Sequence, residues 1–316
     1  MLGYFGPQGT FTHQALLSYS EDDAVPFRTV AQALDAVRAG EVEAAMVPIE
    51  NSVEGGVSAT LDNLADPDAA PLQIIHEVLV NVRFNLCVRP GTRIDQVRRI
   101  ITHPHAAAQV RDWLAENLPD AEVIERGSTA GAAKAVSQPG SGFDAAVCAP
   151  VAGQMYGLEA VASDIADNGA AVTRFILVAS PGQAPAPTGA DKTTLVAYIQ
   201  HDEPGALLAI LQQLAVRGVN LCRIESRPTK TVLGNYCFSM DAEGHMADAR
   251  MAEALMGLKR VCKRIVFLGS YPRADKIPPV LRAGTANADY AAAAEWFAGL
   301  EATMIDTAAG STSASK

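Results

Sequence analysis

Residues 169–180 read GAAVTRFILVAS. Val172, Phe175, Ile176, Leu177 and Val178 have the character of a strand covered on both faces, as in the α/β class that the alternation of strands and helices around it indicates. Thr173 and Arg174 stand at the mouth of that strand. A strand-end arginine that reaches solvent is the ordinary reading. The other is a strand end that opens into a binding cleft.

Upstream of this stretch, strands alternate with helices. LGYFG (2–6) is a short strand ending in a Gly/Pro turn, and FTHQALLSYS (11–20) is helical. VAQALDAVRAGEV (30–42) is an amphipathic helix, and AAMVPIE (44–50) is the next strand. LQIIHEVLVNVRFNLCVRP (72–90) is one long strand or two, bent near Asn81. VRRIITHP, AEVIERG and DAAVCAP are further strands, with helices over AAAQVRDWLAENL, TAGAAKAVS and PVAGQMYGL. Repeated βα units imply mostly parallel sheets with helices on both faces. The bent segment reads as a crossing between two lobes with a cleft between them. Lobe I would take about residues 1–76 and 162–180, and lobe II about 77–161.

Downstream, PGQAPAPTGA (181–190) can propagate neither a helix nor a central strand, so residues 181–191 read as a linker. TTLVAYIQ is a strand. GALLAILQQLAVRG is a helix with Leu207, Leu208, Leu211 and Leu214 on its inner face. VNLCRIESRPT and NYCFSMDAEG pair through a turn near Gly234, ARMAEALMGLKRVC is a helix, and RIVFLGSYP is a last strand. This is the ferredoxin-like βαββαβ order, over 192–273. The tail, 274–316, carries a helix at 287–301 and ends in a polar GSTSASK segment that reads as disordered.

Bulk properties narrow the function. The chain has 316 residues, too many for one ordinary core, and is 49 % apolar. Its 25 Lys+Arg against 35 Asp+Glu give a net charge of −10 with no basic run, which argues against nucleic acid and anionic membranes as partners. The scattered Cys87, Cys148, Cys222, Cys237 and Cys262 read as reduced thiols of a cytoplasmic protein without metal-site spacing. Neither a signal peptide nor an uncharged apolar run of roughly 18 residues is present.

Three loops, GPQGTFT (6–12), IENSVEGG (49–56) and THPHAAAQ (102–109), each follow a strand, carry small or hydroxyl residues and begin a helix. In open α/β sheets ligands bind outside the carboxyl ends of strands, where helix N-termini present free N–H groups. Thr10, Asn51, Ser52, Thr102 and Gln109 are therefore candidate ligand contacts, with helix capping as the competing role. Glu50, at the end of an apolar strand, is a candidate base, substrate contact or partner of Arg174. His103 and His105 flank Pro104 without a third ligand, so a metal site is not read there. No GxGxxG, GK[ST] or GxSxG motif occurs.

Taken together, GPQGTFTHQA, VPIENSVEGGV, THPHAAAQ, VTRFILV, PGALLAIL, RIESRP and LGSYPR occur in the order found in prephenate dehydratases. The resemblance runs from residue 1 to about 273. It implies a two-lobed catalytic region resembling type II periplasmic binding proteins, followed by an ACT domain that binds phenylalanine as a feedback inhibitor. It implies no cofactor, and assembly as a homodimer or homotetramer. The implied reaction is decarboxylative dehydration of prephenate to phenylpyruvate, in phenylalanine biosynthesis.

By that resemblance Thr173 is the proton donor to the leaving hydroxyl, in a relay with Glu50 or a water. Arg174 holds a substrate carboxylate or pairs with Glu50, and both alternatives stay open. N–H groups after Thr10 and Ser52 could take the other carboxylate. Asn51, Ser52, Thr102, Gln109 and Asn168 would orient the substrate, while Phe175 contributes more to the core. Phenylalanine would sit between two ACT domains near Gly205, Ala206, Leu207, Asn220, Leu221 and Cys222, with Glu225, Ser226 and Arg227 forming a block linked to regulation. His105 stands where many relatives carry an amide, which leaves its role open. The rivals are dehydration of the amino analogue arogenate and an aromatic-acid sensor without turnover. An intact Thr173–Arg174 pair argues against the sensor.

Overall fold

A computed structural model describes residues 1–182, 184–201, 203–229 and 236–303. The turn anticipated near Gly234 and the GSTSASK segment lie outside the described residues.

The first lobe is built from β1 (Leu2–Phe5), α1 (Phe11–Tyr19), β2 (Ala24–Phe27), α2 (Val30–Arg38), β3 (Ala44–Asn51), β4 (Gly55–Gly56), α3 (Ser58–Ala65) and β5 (Gln73–Asn81). The second lobe follows with β6 (Asn85–Val88), β7 (Arg99–Thr102), α4 (Pro104–Gln109), α5 (Arg111–Asn117), β8 (Glu122–Glu125), α6 (Thr129–Ser137), β9 (Ala145–Cys148), α7 (Pro150–Met155) and β10 (Glu159–Ala162). The chain then returns through β11 (Val172–Ala179). The first sheet has the order β2-β1-β3-β11-β5, with β4 paired to β3, and the second has the order β10-β6-β9-β7-β8.

The sheets are mixed rather than mostly parallel. β1 runs parallel to β2 and β3, whereas β11 lies antiparallel to both β3 and β5. The reason is connectivity: β11 re-enters the first sheet from the second lobe and so runs against its neighbours. The crossing also falls later than the 76/77 division drawn from the sequence. β5 stays paired with β11 through Asn81, and the chain leaves for the second sheet at Val82–Phe84.

The C-terminal unit comprises β12 (Asp191–Tyr198), α8 (Ala206–Ala215), β13 (Leu221–Pro228), β14 (Tyr236–Glu243), α9 (Ala249–Val261) and β15 (Arg264–Pro272). Its strand order, β13-β14-β12-β15, is that of a ferredoxin-like βαββαβ unit. In α8 the deeply buried residues are Ile210 and Leu214. Leu207 and Leu208 are exposed, because the helix turns the i, i+4 pair inward rather than the whole leucine set. A further helix, α10 (Asn287–Glu301), follows.

This unit does not hang free on the linker. One core cluster joins Ile74, Ile176 and Val178 of the first lobe to Val196, Leu268 and Tyr271 of the C-terminal sheet. At Gly269 (φ 121°), a Cβ would lie 2.5 Å from the Ile74 carbonyl oxygen, so the two backbones approach as only glycine allows. The first-lobe sheet thus has α1 on one face and α2, α3 and the C-terminal unit against the other.

Candidate functional site

β11 is the strand on which both faces matter. Successive side chains point to opposite sides. Thr173 and Phe175 therefore face one way and Arg174 the other.

Thr173 and Phe175 line a cleft of about 320 Å³ between the lobes, together with Thr10, Asn51 and Gln109. Apolar walls come from Phe11, Val82 and Phe84. Asn51 lies directly across the ladder from Thr173, and its Nδ2 donates to Thr173 Oγ1 at 2.8 Å. The amide orientation is fixed from its other end: Asn51 Oδ1 accepts from the N–H groups of Val53 (2.8 Å) and Glu54 (3.1 Å). Thr173 Oγ1 thus receives one hydrogen bond and keeps its own proton to give toward the cleft.

Arg174 is 5 % exposed and faces the C-terminal unit. Its Nε donates to Glu77 (2.7 Å), Nη1 to Asp241 (2.5 Å) and Glu50 (3.3 Å), and Nη2 to the Tyr271 hydroxyl (2.7 Å). Of the two open alternatives, the geometry has the pairing with Glu50. A carboxylate anchor in the cleft is not what this guanidinium is placed to be, because strand alternation turns it away. Glu50 is turned away with it, opposite Arg174 in the ladder, so the side chain hydrogen-bonded to Thr173 is Asn51 and not Glu50.

The surrounding charges are matched. Lys192 Nζ binds Glu77 at 2.9 and 3.1 Å, and Arg223 Nε binds Asp241 at 2.9 Å. Thr194 donates to Asp241 at 2.7 Å. Burial alone would raise the carboxyl pKa values of Glu77 and Asp241. Arg174 with Lys192, and Arg174 with Arg223, outweigh it and hold both below the usual carboxylate range. The Tyr271 hydroxyl is pushed well up, first by burial.

The other anticipated residues divide. Thr10 caps α1, accepting from the His13 N–H at 3.3 Å, and also borders the cleft. Ser52 Oγ accepts from the Val172 N–H at 2.9 Å and its own N–H donates to Val172 O, so the residue closes the end of the ladder. The N–H groups after Ser52 are taken by Asn51, so they are not open to a carboxylate. Thr102 is fully buried and donates to Val147 O at 2.8 Å, holding the second sheet rather than facing the cleft. Asn168 is exposed and folds onto its own turn, accepting from the Ala170 N–H.

Among the polar residues at the cleft that the sequence reading did not assign are Ser128, Thr129 and His105. Ser128 and Thr129, at the start of α6, line it, and Ser128 caps the Gly131 N–H at 3.0 Å. The signal was present in RGSTAG, which matches the description of the three chosen loops. His105, left unassigned, also borders the cleft, and its Nδ1 meets Glu54 of the first lobe at 2.7 Å. Among the described residues, no Lys or Arg lines this cleft.

In the C-terminal unit, Gly205 (φ 94°) precedes α8, followed by Ala206 and Leu207, while Asn220, Leu221 and Cys222 lie at the far end of that helix. Glu225 and Arg227 face the first lobe instead: Arg227 pairs with Asp62 at 2.8 Å, and Glu225 packs over Gly56. Ser226 lies on the exposed side of β13 between them.

A family model described as prephenate dehydratase matches residues 2–183. A curated prephenate dehydratase from Amycolatopsis methanolica is 46% identical over 303 residues, covering 95% of this chain and 97% of its own. A solved prephenate dehydratase from Arthrobacter aurescens, in complex with L-Phe, is 50% identical with a TM-score of 0.89, covering 95% of this chain and 99% of that one. A structure described as a novel type of quorum quenching acylase is 34% identical with a TM-score of 0.77, covering 86% of this chain and 97% of that one.

Proposed function

The chain belongs to the prephenate dehydratase family, and from that premise we propose how its cleft converts prephenate to phenylpyruvate, carbon dioxide and water, as a carbon–oxygen lyase. The bond from the ring to its carboxylate breaks, and its electron pair completes the aromatic ring. The ring hydroxyl leaves from the opposite position and takes up one proton to become water. Aromatisation supplies the driving force, so the enzyme's task is the departing oxygen.

Thr173 gives that proton or a strong hydrogen bond. A threonine hydroxyl is a poor acid alone. The Asn51 amide N–H on Oγ1 stabilises charge as it develops there and aims the O–H into the cleft. This 2.8 Å contact is the observation that carries the reading. Water returns the proton to Thr173. Phe11, Phe84 and Phe175 form apolar walls suited to the ring. With no Lys or Arg among the described residues lining the cleft, His105 and the first-turn N–H groups of α1 and α6 are the groups suited to the two carboxylates. Gln109 is suited to orienting the substrate.

Phenylalanine binds the C-terminal unit as regulator, as the L-Phe-bound relative supports. Gly205 and Asn220 sit at opposite ends of α8, whose ten residues span about 15 Å. One small ligand touches both sets only if two copies of the chain contribute one end each. The regulated form is therefore a homo-oligomer, and the protein works in the cytoplasm.

The relative described as an acylase raises a second reading. An acyl-transfer site needs a nucleophile beside a base. Thr173 has an amide beside it instead, which favours dehydration.

The test is turnover of prephenate followed as phenylpyruvate, with Thr173→Val, which keeps the shape and removes the hydroxyl. The expected loss is on the order of 10²-fold or more in kcat. A variant as fast as wild type removes Thr173 from the chemistry. A wild type inert on prephenate but active on an N-acyl amide or on arogenate overturns the substrate assignment.

A further inference from the structure

Two cross-strand pairs stand back to back where β3 meets β11. Asn51 and Thr173 form the pair that faces the cleft, joined at 2.8 Å. Glu50 and Arg174, the adjoining residues, form the pair that faces the C-terminal unit. β5 pairs with β11 in unbroken register past this spot, but on the β3 side the register shifts between Arg174 and Phe175, so the β3–β11 ladder is irregular just beside the two pairs. Ladder pairing places the backbone, and the side chains of the rear pair take further support.

That support comes from the C-terminal sheet. Asp241 on β14 binds Arg174 Nη1 at 2.5 Å while accepting from Arg223 and Thr194. Tyr271 on β15 takes Arg174 Nη2 at 2.7 Å and is itself bonded to Thr194. Asp241 and Tyr271 are fully buried, so water cannot substitute for either. Three donors on Asp241 leave it one orientation.

We propose that Asp241, assisted by Tyr271, is a positioning residue for the dehydration step: acting through Arg174, it holds the Thr173–Asn51 pair in its reactive geometry. The C-terminal unit then completes the catalytic site, in addition to carrying a regulatory ligand. The mechanism is mechanical. Displacement of Arg174 moves the peptide that it shares with Thr173, and a misplacement of about 1 Å in a reacting group costs about 10²-fold in rate. Arg223 adjoins Cys222 on β13, so ligand-driven movement of that strand reaches Asp241 directly.

This rests on the dehydratase reading, and the experiment separates the two. Asp241→Asn, Tyr271→Phe and Arg264→Gln are compared with wild type for kcat and KM on prephenate, with thermal melting of each. Arg264→Gln breaks a different contact between the same parts, Arg264 to the Pro67 carbonyl at 2.6 Å. The expected result is kcat lowered about 10- to 100-fold in Asp241→Asn and less in Tyr271→Phe. KM should stay within about two-fold, and Arg264→Gln should keep wild-type kcat. Folded Asp241→Asn with wild-type kcat overturns the proposal, as does an equal kcat loss in Arg264→Gln, which would make the effect one of general docking. If Asp241→Asn does not fold, Tyr271→Phe decides by the same split. A wild type without turnover defeats the dehydratase reading itself, and the proposal with it.

Discussion

Replacing Arg174 by Met removes one guanidinium from contact with three carboxylates and a tyrosine hydroxyl. The cost is not three abandoned charges. Glu77 keeps Lys192 and the Ala274 N–H, Asp241 keeps Arg223 and Thr194, and Glu50, more than a third exposed, can hydrate. What remains is the loss of roughly one buried pair, about 3–5 kcal/mol. That is a large part of an ordinary protein's stability of about 5–15 kcal/mol. Urea unfolding at neutral pH, followed by circular dichroism, measures it, with prephenate kinetics run on the native fraction. The expected variant is several kcal/mol less stable, with reduced kcat and little change in KM. The reasoning is refuted if Arg174→Met unfolds within about 1 kcal/mol of wild type while KM rises ten-fold or more. That pattern would belong to a guanidinium that grips substrate in the cleft.

Other consequences are open to direct measurement. Glu77 and Asp241 have depressed folded-state pKa values, so the stability they contribute is present above their unfolded values, about 4.3 and 3.9, and is lost as pH falls through the folded ones. Glu77→Gln should flatten the acid limb of stability below about pH 4, and an unchanged limb would deny the charge network its role. Asn51→Asp should lower kcat sharply at neutral pH, because a carboxylate cannot donate to Thr173; retained kcat would remove the amide from the relay. Gly269→Ala should separate β15 from β5 and lower the melting temperature by several degrees, since the new methyl would meet the Ile74 backbone. An unaltered melting temperature would mean the backbones have room to part.

Much of this was legible before any coordinates. The βαββαβ order and the cleft positions of Thr10, Asn51, Gln109 and Thr173 follow from turn chemistry, periodicity and motif order, while the stretch read as linker gives way to β12 at Asp191. What failed did so for physical reasons. Arg174 and Thr173 are adjacent in a strand, so period-two alternation already forbids both from facing one ligand. The partners of Arg174 also announced themselves as acids inside apolar strands, Glu77 in HEVLV and Asp241 in CFSMDA. A carboxylate there needs a buried cation. Ser52 and Thr102 share residue type with true cleft contacts, and only the fold reveals that their hydroxyls serve the ladder and the second sheet. The mixed strand directions depend on where the chain re-enters a sheet, which local sequence does not encode.

The cleft without lysine or arginine has a kinetic consequence. A dianion must approach a molecule of net charge −10 and enter a cleft in which no lysine or arginine is among the described lining residues. Enzymes that gather anionic substrates with basic residues slow down as salt screens the attraction. Here the long-range force has the opposite sign. Shortening the screening length from about 30 Å at 0.01 M to about 10 Å at 0.1 M salt should speed encounter. Second-order capture of substrate by this protein should therefore rise with ionic strength.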